Sequence, residues 1–189
     1  GDFFAGGLLV RDFAEHKFHR RIMQSAFKTS SMQHYVHSVN EIASATVASW
    51  RGVDGFHYYP HIKELLLDIG ARVFVGVNLD NEITPLNRAF LDMMAGTLAI
   101  VRKDWPGLGL VYHRGMNGRR YLEQYFQGLV PQRRRDEGMD MMSHFSKETT
   151  EEGQYFPDKV VPDHLIFLAL AAHDTPTSAL TMPSYSLAR

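Results

Sequence analysis

The chain has 189 residues, 44% of them hydrophobic, enough to bury one substantial core as a domain or as a slice of a larger one. Its 20 basic and 21 acidic side chains leave a formal charge of -1, so net charge draws it to neither nucleic acid nor an anionic membrane. Cysteine is absent, which excludes disulfides, thiolate zinc sites and a cysteine nucleophile from this stretch.

The apolar runs Phe3 to Val10 and Leu165 to Ala172 fall far short of the roughly 20 residues a membrane-spanning helix needs. No basic segment precedes Phe3, so a signal peptide is unsupported, and Gly1 stands where a natural start has methionine. The amino terminus therefore reads as cut.

In chain order, Asp12 to Phe27 reads as a helix with Asp12 as N-cap and Phe13, Ile22, Met23, Ala26 and Phe27 near one another. A second helix runs from near Ser31 to Trp50, before the turn Arg51-Gly52-Val53-Asp54-Gly55. Pro60 suits the first turn of a third, through about Val75, in which Ile62, Leu65, Leu66, Ile69 and Val73 share a face. Thr84-Pro85 opens a fourth, through about Val101, and Asp104 to Gly109 breaks it as a loop. A long polar helix over Val111 to Asp136, a short one near Met139 to Phe145 and an acidic linker from Lys147 to Gly153 follow. The last helix begins at Phe156-Pro157-Asp158 and continues to Arg189. With no repeat, low-complexity tract or β-alternating segment, the expected fold class is all-α, a single partial domain over 1–189.

That last helix contains Ala171-Ala172-His173-Asp174-Thr175-Pro176-Thr177, an acid and an alcohol in an otherwise apolar stretch. A buried aspartate is costly unless paired, and a mid-helix threonine tends to bond the carbonyl one turn back. Pro176 has no N–H for the carbonyl of Ala172, and its ring pushes that carbonyl aside. Small residues, freed oxygens, an acid and a hydroxyl together form a niche suited to a small polar molecule and to proton delivery.

The string A-A-H-D-T-P followed by T-S-A-L-T resembles the oxygen-activation helix of cytochromes P450, with its Ala/Gly-Gly-x-Asp/Glu-Thr-Thr/Ser pattern. The resemblance implies that Ala171 and Ala172 flank the oxygen groove, that Asp174 relays protons and that Thr175 stabilises the oxygen species on iron. Ala172 stands where the family usually has glycine, Pro176 where a second alcohol is usual, and Pro183 adds another interruption. Upstream, His16 and Arg20 resemble the pair, four residues apart, that binds haem propionates, and Ile22 to Phe27 also resembles the family there. Leu67-Asp68-Ile69-Gly70 through Val75-Gly76-Val77 resembles the family's fifth helix, and Trp105-Pro106-Gly107 the substrate lid between its sixth and seventh.

The resemblance spans Phe13 to Arg189 with matching order and spacing. It implies the central helical portion of a haem-thiolate monooxygenase that uses haem b and O2. Electrons would come from NAD(P)H through a ferredoxin or reductase partner, and the substrate would be small and apolar. With no amino-terminal anchor in view, a soluble, cytoplasmic bacterial enzyme is the expected setting. The family's E-x-x-R helix and cysteine-ligand loop would lie after Arg189, so no axial ligand is present here and this stretch alone is expected to be inactive.

Plainer readings stand beside these. His16 and Arg20 could belong to a solvated helix face, and Asp174 and Thr175 to a polar kink inside a non-catalytic helical binding module. The pairs His16 with His19 and His57 with His61 have helical spacing for a metal but are expected on the surface. His173-Asp174 could open a metal-dependent phosphohydrolase signature, for which no further ligands can be placed. Arg133-Arg134-Arg135, half cancelled by Asp136-Glu137, reads as a solvated helix end, and Met93, Met94, Met139, Met141 and Met142 read as soft apolar filler.

Overall fold

A computed structural model describes residues 2–77, 85–150 and 153–189. Its described residues form seven α-helices: α1 Phe13–Ser25, α2 Thr29–Ser49, α3 Tyr58–Gly70, α4 Pro85–Thr97, α5 Val111–Arg133, α6 Met141–Lys147 and α7 Val160–Leu187. Short 3-10 turns at Asp2–Phe4 and Leu8–Val10 precede them. The all-α class holds, and among the described residues a lone bridge between Thr149 and Tyr155 is the extended pairing. Thr84, expected to open the fourth helix, and part of the acidic linker lie outside the described residues.

Hydrophobic periodicity explains the core. Ile22, Met23 and Ala26 of the α1 region, Ile62 and Leu65 of α3, Leu122, Phe126 and Val130 of α5, and Leu165, Ile166 and Leu170 of α7 are all buried. The first helix departs from expectation, since Phe13 is 95% exposed and Phe27 lies half outside. Asp12 does sit at the N-cap, but only its backbone carbonyl is used, accepting from His16 N–H at 2.9 Å, and its side chain caps nothing. The third helix ends in one π-helical turn, Ala71–Val75, closed by Gly76 at φ 71°. A Cβ at Gly76 would stand 2.8 Å from an Asp140 carboxylate oxygen.

α4 and α5 form an antiparallel hairpin whose backbones nearly touch. A Cβ on Gly96 would lie 2.8 Å from Cα of Gly115, and one on Gly118 would lie 2.3 Å from the carbonyl oxygen of Ala89. α7 crosses this assembly against α3 and α5, and continues unbroken through Pro176 and Pro183. Hydroxyls bind its carbonyls one turn back at Thr177, Thr181, Ser184 and Ser186, with Thr177 Oγ1 donating to the His173 carbonyl at 2.6 Å.

Arginines that look solvated in sequence hold the corners. Arg133 donates to the Val75 carbonyl at 2.5 Å and pairs with Asp140 at 3.6 Å. Arg134 reaches the Phe156 carbonyl at 2.8 Å, the Ser146 carbonyl at 3.1 Å and Asp158 at 2.8 Å. The expected solvated helix end is thus corrected: after Pro131 and the last turn of α5, these two guanidiniums supply donors for carbonyls of neighbouring segments. Arg119, only 6% exposed, likewise binds the carbonyls of Asp2 and Ala5, together with Glu123 and Asp163. The methionine expectation holds for Met93, Met141 and Met142, which are buried, whereas Met139 is 39% exposed.

Candidate active site

α7 presents two chemically different sides. A helix turns about 100° per residue, so His173 and Thr175 lie on nearly opposite sides. His173 is buried, its ring edge meeting that of Phe90 at a centroid distance of 5.4 Å. Ala171, Asp174 and Thr175 are exposed, and Ala172 is half-buried between the two sides. Asp174 is therefore not the buried acid its apolar surroundings in sequence suggest; its Oδ1 lies 3.6 Å from Nζ of Lys63 on α3. The bond to a carbonyl one turn back, expected of a mid-helix threonine, is made by Thr177, while the hydroxyl of Thr175 makes none. An acid held by a lysine, an uncommitted alcohol and a methyl-sized residue one turn before it share this open strip.

His16 and Arg20 stand one turn apart on α1, the first half-buried and the second exposed. Neither side chain has a hydrogen bond or ion pair among the described residues, so an imidazole and a guanidinium are available together for an outside carboxylate. No contact among the described residues joins this pair to Asp174 or Thr175. What joins the two helices is His19, one residue before Arg20.

His19 Nδ1 lies 2.8 Å from Nε2 of His164 on α7, with both rings buried. This corrects the surface placement expected of His19: Phe18, itself packed on Phe156, meets its ring edge to face, and the histidine partner bonds its Nδ1. Burial, with the Arg11 charge adding and Glu15 opposing, holds the pKa of His19 below its ordinary value. Burial, with the His19 and Arg11 charges adding, depresses that of His164 to about 3. Two ring nitrogens this close require one donor and one acceptor, which excludes both rings being charged, and the lowered pKa of each favours the pair with both rings neutral. Sequence reasoning missed this pair because 145 residues separate its members. The available signal was a histidine set in the apolar run that starts α7.

The phosphohydrolase reading gains nothing from the geometry. His173 and Asp174 point to different sides of α7, and no group of three or more potential ligands gathers among the described residues. No described helix is long and apolar enough to cross a membrane.

An all-helical frame crossed by one long helix, with an acid and an alcohol on the exposed strip of that helix, is the class these residues define: an all-α fold built around α7. The cytochrome P450 family model matches residues 1–189, and the chain belongs to that family. It is 39% identical over 193 residues to putative cytochrome P450 136 of Mycobacterium tuberculosis, covering 100% of this chain and 39% of that protein. It is 25% identical over 199 residues to pentalenene oxygenase of Streptomyces avermitilis, covering 100% of this chain and 43% of that protein. It is 24% identical over 175 residues to beta-amyrin 28-monooxygenase CYP716A378 of Saponaria officinalis, covering 88% and 36%.

The solved cytochrome P450DA heme domain superposes with a TM-score of 0.81 at 19% identity, over 100% of this chain and 44% of that one. Retinoic acid bound cyanobacterial CYP120A1 does so with a TM-score of 0.80 at 18% identity, over 94% and 41%. The chain thus spans about 36–43% of the length of these curated relatives.

The residues present fit one side of haem: a guanidinium and an imidazole suit its carboxylate edge, and the small residues and hydroxyl of α7 suit its flat face. With no cysteine in the sequence, this chain supplies no thiolate to iron.

Proposed function

We propose that this chain forms the distal wall of the haem site in a larger P450 domain that hydroxylates a small apolar substrate with O2. The observation that carries the reading is the open strip on α7, where an uncommitted Thr175 hydroxyl lies beside an acid held by Lys63. Haem, when bound, supplies the iron-based activation and transfer of oxygen. Arg20 and His16 would hold its two carboxylates. Asp174 carries a proton on its carboxylate in from solvent, with Lys63 orienting it. Thr175 hands that proton on through its hydroxyl, while Ala171 and Ala172 keep the space beside it small. Electrons come from NAD(P)H through a ferredoxin or reductase partner. The apolar substrate class draws support from relatives named for oxidising beta-amyrin and pentalenene.

The test is Thr175→Ala in the full-length protein with a converted substrate. NADPH consumption should continue while hydrogen peroxide release rises and product per NADPH falls severalfold. Coupling equal to wild type removes the proton-delivery role.

A further inference from the structure

On the side of α7 facing away from Thr175 lies a half-open cavity of about 60 Å³, walled among the described residues by α3, the π-helical turn after it, α4, α5 and α7. Its lining is largely apolar, with Leu66, Phe74, Phe90, Phe126 and Leu165 among the wall residues. One ionisable group enters it. His173 is 4% exposed and lines the cavity, and among the described residues neither Nδ1 nor Nε2 has a hydrogen-bond partner. Its ring is held by packing against Phe90. Ala172 lines the same wall, and its carbonyl lacks a helical donor because position 176 is proline.

Buried polar groups in folded proteins are bonded to protein or to an enclosed small molecule, and two orphan nitrogens on one ring depart from that rule. Burial holds the pKa of His173 below its ordinary value, with the Lys63 charge adding and Asp174 opposing. The neutral ring offers one N–H and one lone pair. A hydroxyl both donates and accepts, so it satisfies either nitrogen whichever tautomer is present. At roughly 10–15 Å³ of such volume per water-sized group, the cavity holds about four to six heavy atoms.

We propose that this cavity is a second binding site, separate from the oxygen-facing strip, for a small aliphatic alcohol. Its hydroxyl bonds His173 and its carbon atoms lie among the phenylalanine and leucine side chains. The site uses no haem contact, so its test stands apart from the monooxygenase reading.

Isobutanol, with its five heavy atoms, is the probe. In full-length protein carrying ¹⁵N-labelled histidine, titration should shift the His173 ring nitrogens along a saturating curve. His173→Phe, which keeps a ring of similar size, identifies those signals. A second variant, Ala169→Leu, places bulk in the cavity wall and leaves His173 in place; in it the saturable shift should disappear while the thermal midpoint stays close to wild type. A shift that grows linearly with isobutanol would mean that the cavity takes water alone and would overturn the proposal. So would saturation in Ala169→Leu equal to wild type.

Discussion

Lowering the pH from 7 to 5 should cost the fold about 2 kcal/mol through His164 alone. This ring is 1% exposed and bonds His19 at 2.8 Å, and burial with the neighbouring positive charges depresses its pKa to about 3, against an ordinary 6.5. Between those values the unfolded chain takes up a proton that the folded chain refuses, so stability rises with pH across the window. The contribution is fully present above about 6.5 and is lost as pH falls toward about 3. Each pH unit below 6.5 is worth about 1.4 kcal/mol, which gives about 2 kcal/mol between pH 7 and 5. His19, His144 and His173 are depressed for the same leading reason, burial, and steepen the loss. Asp68 and Asp163, raised by burial, act in the opposite direction, and Asp163 is tempered by the Arg119 charge. Both begin from the carboxylate range, below the upper part of the histidine window. Urea unfolding of the full-length protein and of His164→Phe at pH 7, 6 and 5 checks this. The variant's loss should be shallower by about 2 kcal/mol over the interval. Parallel curves, or a His164 ring that titrates near 6.5 in the folded protein, would refute the reasoning.

Three further outcomes follow from packing. Gly118→Ala puts a methyl group 2.3 Å from the Ala89 carbonyl, so α4 must move from α5 at a cost of about 1–3 kcal/mol, read as a lower urea midpoint. Arg119→Ala leaves the half-buried Asp163 without its cation and frees the carbonyls of Asp2 and Ala5, a loss of about 3 kcal/mol in the same assay. Thr177→Val removes the 2.6 Å bond to the His173 carbonyl at a fully buried position and should cost about 1 kcal/mol, with Thr177→Ser recovering part of it.

All seven helices were legible from the apolar period, because Leu65, Leu122 and Leu165 fall on stripes that have to be covered. Ends were less so. α4 stops at Thr97 where apolar residues continue to Val101, and Leu98 and Ile100 beyond it are 81% and 99% exposed. The π-helical turn had no sequence marker beyond Gly76, whose positive φ closes it. Side-chain roles that depend on distant partners were illegible: Arg119 and Arg134 sit in polar runs, and only the folded chain brings uncapped carbonyls to them. The candidate site divides in the same way. Asp174 and Thr175 stand out as an acid and alcohol in an apolar helix, and His16 with Arg20 as a spaced pair. The opposite facing of His173, the Lys63 contact and the His19–His164 link required the packing of α7 against α1 and α3.

The central claim is that α1 and α7 present one haem-binding surface, and haem release tests it without any substrate. In the full-length protein, transfer of haem to apomyoglobin should be about tenfold faster or more for Arg20→Ala than for wild type, as expected when a charged hydrogen bond worth about 1.5–3 kcal/mol is lost. Lys17→Ala, an exposed cation on the same helix, should leave the rate unchanged. Equal release from Arg20→Ala and wild type would contradict the assignment of this face.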